Sequence, residues 1–134
     1  MTPIGSPPVL REACSILIVD DNSSVRQAIR MVVSGWGCKT EEAYNADQAI
    51  AAARISRFDL AIIDIGMAGI DGLELCRIFR QEHRENIPLM FILSGYSDAH
   101  VRNEAQAAGV KLFLQKPLGA QELRDAMMKH GLAV

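Results

Sequence analysis

No run of basic residues occurs in this chain, and fourteen Lys and Arg against sixteen Asp and Glu leave a net charge of -2. That balance excludes strong non-specific binding to nucleic acid through charge alone, so any contact with DNA is expected to pass through a partner. Long apolar runs are missing as well. The stretch from Leu89 to Leu93 is far shorter than the ~18 residues a membrane-spanning helix needs, and the N-terminus lacks a basic-then-apolar signal. A cytoplasmic protein with no membrane contact is the expectation. Cysteine is sparse: Cys14, Cys38 and Cys76 are odd in number, widely spaced and without a CxxC pair or a histidine cluster nearby, which leaves reduced, partly buried thiols. Neither GxxxxGK[ST] nor GxGxxG is present, so P-loop and dinucleotide chemistry are excluded.

What is present is enough apolar material for one compact unit. The chain has 134 residues, 49% hydrophobic and 22% charged, close to the roughly 150 residues of a single domain. Pro3, Pro7 and Pro8 with Gly5 and Ser6 mark residues 1–14 as a flexible lead-in, and residues 15–134 as the folded body. From Ser15 onward, strand-length apolar runs alternate with segments of helical period. Strands are predicted at Ile16 to Asp20, Lys39 to Ala43, Asp59 to Asp64, Leu89 to Ser94 and Leu112 to Gln115. Four are continuously apolar, as parallel strands covered on both faces are, whereas the polar second strand suits an edge. The first helix is expected to be capped by Ser23 or Ser24, with Val25, Ile29 and Val32 inward and Arg26, Gln27 and Arg30 outward. Asn45 is expected to cap the second, a third to run from Gly72 to His83, Ser97 to cap the fourth, and the fifth to start near Ala120. Five strands alternating with five helices predict an α/β fold with a doubly wound parallel sheet.

Polar residues stand where these strands stop: Asp20 and Asp21, then Asp64, Ser94 and Lys116. In an open parallel sheet the carboxyl ends of the strands share one edge, where ligands bind. Singly, each residue reads as a turn, a cap or a solvated lysine; the set is what calls for a common site. Two unit charges ~4 Å apart interact by about 4 kcal/mol at an effective dielectric near 20, so three carboxylates together require a cation. Lys116 offsets one charge, and hard oxygen donors without His or Cys suit Mg²⁺ rather than zinc. Such a site is equipped for phosphoryl transfer, with one carboxylate as candidate nucleophile.

The runs Ile16-Leu17-Ile18-Val19-Asp20-Asp21, Asp64-Ile65-Gly66-Met67, Asp71-Gly72, Phe91-Ile92-Leu93-Ser94-Gly95 and Lys116-Pro117 together resemble the receiver domain of bacterial two-component response regulators, over about Ser15 to His130. The resemblance implies a five-stranded sheet of order 2-1-3-4-5, flavodoxin-like and CheY-like. It implies that Asp64 is the phosphoacceptor, taking a phosphoryl group from a phosphohistidine of a sensor kinase or histidine phosphotransferase. Asp21, Asp64 and the Gly66 carbonyl would ligate Mg²⁺ directly and Asp20 through water. Lys116 would pair with a phosphoryl oxygen, Ser94 would bind another, and Phe113 would be the aromatic switch. The Lys116-Pro117 peptide would be cis.

The same resemblance places donor docking on Arg26, Gln27, Arg30 and Met31, and output to an effector on the fourth helix, fifth strand and fifth helix. It allows a homodimer, and its protein is a signalling phosphoacceptor, promoting its own phosphorylation and dephosphorylation, rather than an enzyme. No output domain is expected after the last helix. Ala68 replaces a common proline, and Gly66 and Tyr96 occupy positions that tune loss of the phosphoryl group, which points to a phosphorylated form that is not among the shortest-lived. The alternatives are a pseudo-receiver acting by phosphorylation-independent contacts, and an aspartyl-nucleophile phosphohydrolase; against the second, position 66 carries no acid.

Overall fold

The computed structural model describes residues 14–95, 99–132 and 134. Along them β1 (Ser15–Val19), α1 (Ser23–Gly35), β2 (Lys39–Ala43), α2 (Ala46–Ile55), β3 (Leu60–Asp64), α3 (Gly72–Glu82), β4 (Leu89–Ser94), α4 (Ala99–Ala107), β5 (Leu112–Gln115) and α5 (Ala120–Lys129) alternate. All neighbouring strands pair in parallel, in the order β2-β1-β3-β4-β5. β2, the one polar strand, lies at an edge, as its composition predicts.

Side chains alternate across the sheet and so feed two separate cores. Ile16, Ile18, Leu60, Ile62, Phe91 and Leu93 meet α1 and α5 on one face. Leu17, Val19, Ala61, Ile63, Met90 and Ile92 meet α2, α3 and α4 on the other. Burial of this kind stabilises by about 25 cal/mol per Å² of apolar surface. Of the Met127-Met128 pair, the first is fully buried and the second 57% exposed.

Several local expectations are corrected. β1 ends at Val19 and β3 begins at Leu60, one residue inside the predicted ends. Asn22, not Ser23 or Ser24, caps α1: its side-chain oxygen accepts from Ser24 N at 2.9 Å and Val25 N at 3.2 Å. The helix starts at Ser23, so the residue before it holds the capping geometry. The inner stripe of α1 is Val25, Ile29 and Val33, with Val32 half-buried at its margin. Asn45 caps α2 through Gln48 N as expected. Ser97 and Tyr96 lie outside the described residues. Gly109 ends α4 with φ +92°, a conformation glycine adopts without penalty.

Cys14, assigned from sequence to the lead-in, is instead buried at the foot of β1, where its carbonyl accepts from Lys39 N at 2.8 Å. Cys14, Cys38 and Cys76 are all free and buried. Burial, with Cys38 and Asp59 close by, pushes the Cys14 thiol up to about 12; burial does the same for Cys76. Because only the thiolate reacts, both should alkylate with iodoacetamide at pH 8 at least roughly tenfold more slowly in the native protein than in denaturant. Equal rates in the two states would show that these sites open freely.

Candidate functional site

β1 and β3 are neighbours with Val19 opposite Ile63, so the residues that follow, Asp20 just past β1 and Asp64 at the end of β3, emerge side by side. Asp20 is wholly buried and Asp64 7% exposed, while Asp21 is exposed at the rim. Asp20, Asp21 and Asp64 each place a carboxylate oxygen within 4.8 Å of the others. β5 lies two strands from β3, and the long side chain of Lys116 bridges that gap. Its ammonium stands 3.0 Å from Asp20 Oδ2 and 3.2 Å from Asp64 Oδ1. The backbone of Lys116 is set by its N–H, which donates to the Ser94 carbonyl at 2.8 Å.

Asp20 Oδ1 accepts from Asn22 N at 2.9 Å, and Asp64 Oδ1 from Gly66 N at 3.3 Å. Asp20 Oδ2 lies against the Lys116 ammonium yet receives no well-directed hydrogen bond. Burial holds the Asp20 carboxyl above the usual carboxylate range, with Asp64 adding to the rise; the Asn22 amide and Lys116 pull it back. Burial works to lower Lys116, but its close contacts with the Asp20 and Asp64 carboxylates and their charge prevail and raise it above 10.5.

A raised lysine contributes stability that is fully present below its unfolded pKa and lost as pH rises through the folded one. The difference in urea midpoint between the wild type and Lys116→Met is therefore expected to be full at pH 9 and to shrink above pH 10.5. A difference independent of pH across that range would mean the ammonium contributes nothing as a charge.

The donor set fits a hard divalent cation. It consists of three carboxylates with no His or Cys among them, and one buried carboxylate oxygen lacks a directed hydrogen bond. One ammonium against three carboxylates leaves the cluster net negative.

The family model of the response regulator receiver domain matches residues 16–128 of this chain. The chain belongs to that family. The receiver is 32% identical over 108 residues to the transcriptional regulatory protein ResD of Bacillus subtilis, covering 81% of this chain and 44% of ResD. It is 31% identical to sporulation initiation phosphotransferase F of Bacillus subtilis, covering 86% of this chain and 91% of that protein. Among solved structures it is similar to the chemotaxis protein CheY4 of Vibrio cholerae, with TM-score 0.83 at 25% identity over 88% of this chain and 98% of CheY4. The receiver spans less than half the length of several transcriptional regulators it matches. Receivers are the input-receiving modules of two-component systems, and the five parallel strands in order 2-1-3-4-5 agree with that family's fold.

Ser94, Phe113, Gly72 and the Lys116-Pro117 peptide lie on the same edge of the receiver or close to it, whereas Trp36, His83 and His130 follow the C-terminal ends of α1, α3 and α5 at the opposite edge. Ser94 ends β4, 2% exposed, one residue beyond the Asp64–Leu93 pair. Phe113 pairs with Ile92 in β5, is half-buried against the larger core, and carries the Arg102 guanidinium 5.7 Å from its ring centroid. The Lys116-Pro117 peptide is cis. Gly72 opens α3 directly beneath the Asp64 carbonyl. Trp36 is half-buried on the face of α1 and α5, with Arg124 5.4 Å over its ring. His83 and His130 lie on α3 and α5 ends and pack edge-on to Phe79 and Phe91.

Sequence reasoning missed the inward turn of Arg26. Its side chain is only 15% exposed. It donates to the Asp20 carbonyl at 2.7 Å and to Glu42 at 3.0 Å, and Arg30 meets the other Glu42 oxygen at 3.0 Å. The available signal was a glutamate near the end of the edge strand with two arginines one turn apart on the preceding helix.

Proposed function

We propose that this receiver accepts a phosphoryl group on Asp64 from a phosphohistidine and passes the change to an effector through α4, β5 and α5. The observation that carries the reading is the Lys116 ammonium held 3.2 Å from Asp64 Oδ1, beside the two other carboxylates. An Asp64 oxygen attacks phosphorus, the phosphorus–nitrogen bond to imidazole breaks, and the imidazole leaves with a proton from solvent. The product is an acyl phosphate on Asp64. Asp21, Asp64 and the Gly66 carbonyl would hold Mg²⁺, with Asp20 acting through water; the ion supplies charge neutralisation of carboxylate and phosphoryl oxygens. Lys116 keeps one oxygen of the group paired with a cation, and Ser94 donates its hydroxyl to another.

Moving a two-state loop from 1:99 to 99:1 requires about 5.5 kcal/mol of differential interaction. Hydrogen bonds to charged groups are worth about 1.5–3 kcal/mol each, so Ser94, Lys116 and a backbone amide suffice together. Phe113, already half-buried, is the side chain that moves inward. Incubation of the chain with acetyl phosphate and Mg²⁺, followed by intact-protein mass, should add one phosphoryl group, and a chelator should prevent it. No adduct from acetyl phosphate or any phosphohistidine donor would favour the pseudo-receiver.

A groove of about 500 Å³ between α1 and the loop after β5 adjoins the site through Lys116 and is walled by Val25, Ala28, Ile29, Pro117 and Leu118. Met31, 72% exposed on α1, extends the surface that receives the donor. Met31→Asp is expected to slow transfer from a histidine phosphotransferase roughly tenfold while uptake from acetyl phosphate stays unchanged. Loss of both would place Met31 in the fold rather than in the docking surface.

A further inference from the structure

We infer that Arg26, expected from sequence to belong to the donor-docking face, is a positioning residue that sets the conformation of the acidic loop after β1. This inference rests on the reading of Asp20, Asp21 and Asp64 as a divalent-cation site.

After Val19 the chain leaves the sheet, and Asp20 must be held without a second ladder partner. Its N–H donates to the Ala43 carbonyl of β2 at 3.1 Å. Its carbonyl accepts from Arg26 Nη1 at 2.7 Å. That carbonyl shares a peptide plane with the N–H of Asp21, so fixing it fixes the direction from which the Asp21 side chain departs. Asp21 is exposed, and among the described residues its carboxylate accepts no hydrogen bond; its placement depends on the backbone beneath it.

Arg26 is itself immobilised. Its Nε donates to Glu42 Oε1 at 3.0 Å, and the other oxygen of Glu42 is taken by Arg30 at 3.0 Å. Glu42 sits opposite Ile18 in the ladder, on the side of the sheet that α1 covers. The arginine thus ties three elements together: the end of β1, the end of β2 and the first turns of α1. A planar guanidinium can satisfy Asp20 and Glu42 at once, which an ammonium on a flexible stem does not reproduce.

Charge and geometry predict opposite results on removing it. Taking a cation away from three carboxylates tightens binding of a dication if charge alone matters. Loosening the loop weakens it. Calorimetric titration of the chain with Mg²⁺ is expected to give a dissociation constant roughly tenfold higher for Arg26→Gln and also for Arg26→Lys. Glu42→Ala, which keeps the arginine but frees it, should weaken binding in the same direction. Unfolding midpoints in chelator should stay close to wild type, and Asp21→Asn should abolish the signal. Wild-type or tighter binding by Arg26→Gln, or full rescue by Arg26→Lys, overturns the inference. Should Arg26→Gln fail to fold, unchanged affinity in Glu42→Ala overturns it equally. Absence of Mg²⁺ binding by the wild type would instead overturn the cation-site reading on which it stands.

Discussion

Asp64→Asn should take up no phosphoryl group, with the rate from acetyl phosphate and from a phosphohistidine donor falling roughly a hundredfold or more. An amide in place of the carboxylate is not a nucleophile toward phosphorus, and Asp64 is the acid that combines near-complete burial, a Lys116 contact at 3.2 Å and a position at the end of a central strand. Asp20 is wholly buried, which closes it to an incoming phosphorus that the 7% exposed Asp64 can still meet; Asp21 stands at the rim. The same substitution should not cost stability in chelator. It removes one of three carboxylates that lie within 4.8 Å of one another, where a pair ~4 Å apart repels by about 4 kcal/mol at an effective dielectric near 20 before any offset by lysine. Thermal unfolding in chelator is therefore expected at or above the wild-type midpoint, and the midpoint should rise less with added Mg²⁺. An Asp64→Asn protein that still gained a phosphoryl group would move the nucleophile to Asp20 or Asp21.

Gly72→Ala is expected to destabilise the fold by about 1–3 kcal/mol, the usual cost of forcing a methyl group into filled space. A Cβ at this position would lie 2.5 Å from the Asp64 carbonyl oxygen and 3.0 Å from Ile65 Cα. Both are backbone atoms, so no side-chain rotation relieves the contact. Either α3 withdraws, opening the core around Leu73, Cys76 and Phe79, or the end of β3 shifts. The second outcome moves Asp64 relative to Lys116 and slows phosphoryl uptake as well. Urea unfolding of the variant, paired with the acetyl phosphate assay, distinguishes the two. A variant as stable and as active as wild type would show that the helix has slack there. This glycine is required by proximity, since its backbone angle is not the left-handed one that marks Gly69 and Gly109.

The class of fold was legible in the sequence because the signals behind it are local. A continuous apolar run such as residues 60–63 has to be covered on both faces, and the polar run of residues 39–42 cannot be, so a parallel sheet with β2 outermost follows from solvation alone. The acid cluster was legible for a related reason: once the strands are parallel, residues that follow them share one edge. Asp20, Asp64 and Lys116 accordingly meet within 3.0 and 3.2 Å contacts. The strand order beyond the edge position came from resemblance.

Other features depended on distances between elements that no local pattern encodes. Asn22 rather than a serine caps α1 because the helix begins one residue after it. Arg26 stands on a helix whose neighbouring polar residues face water, and only the path of the loop above it and the end of β2 beside it turn it inward to Asp20 and Glu42. Met31, on the same helix, is packed against no other element among the described residues and stays exposed. The approach of α3 to the Asp64 carbonyl is likewise a property of two packed elements. Composition and periodicity by themselves determined which residues are buried in strands and which end at the common edge, because solvation acts residue by residue. Tertiary structure alone decided which polar side chains hold that edge in shape, because a hydrogen bond is fixed by the positions of both partners.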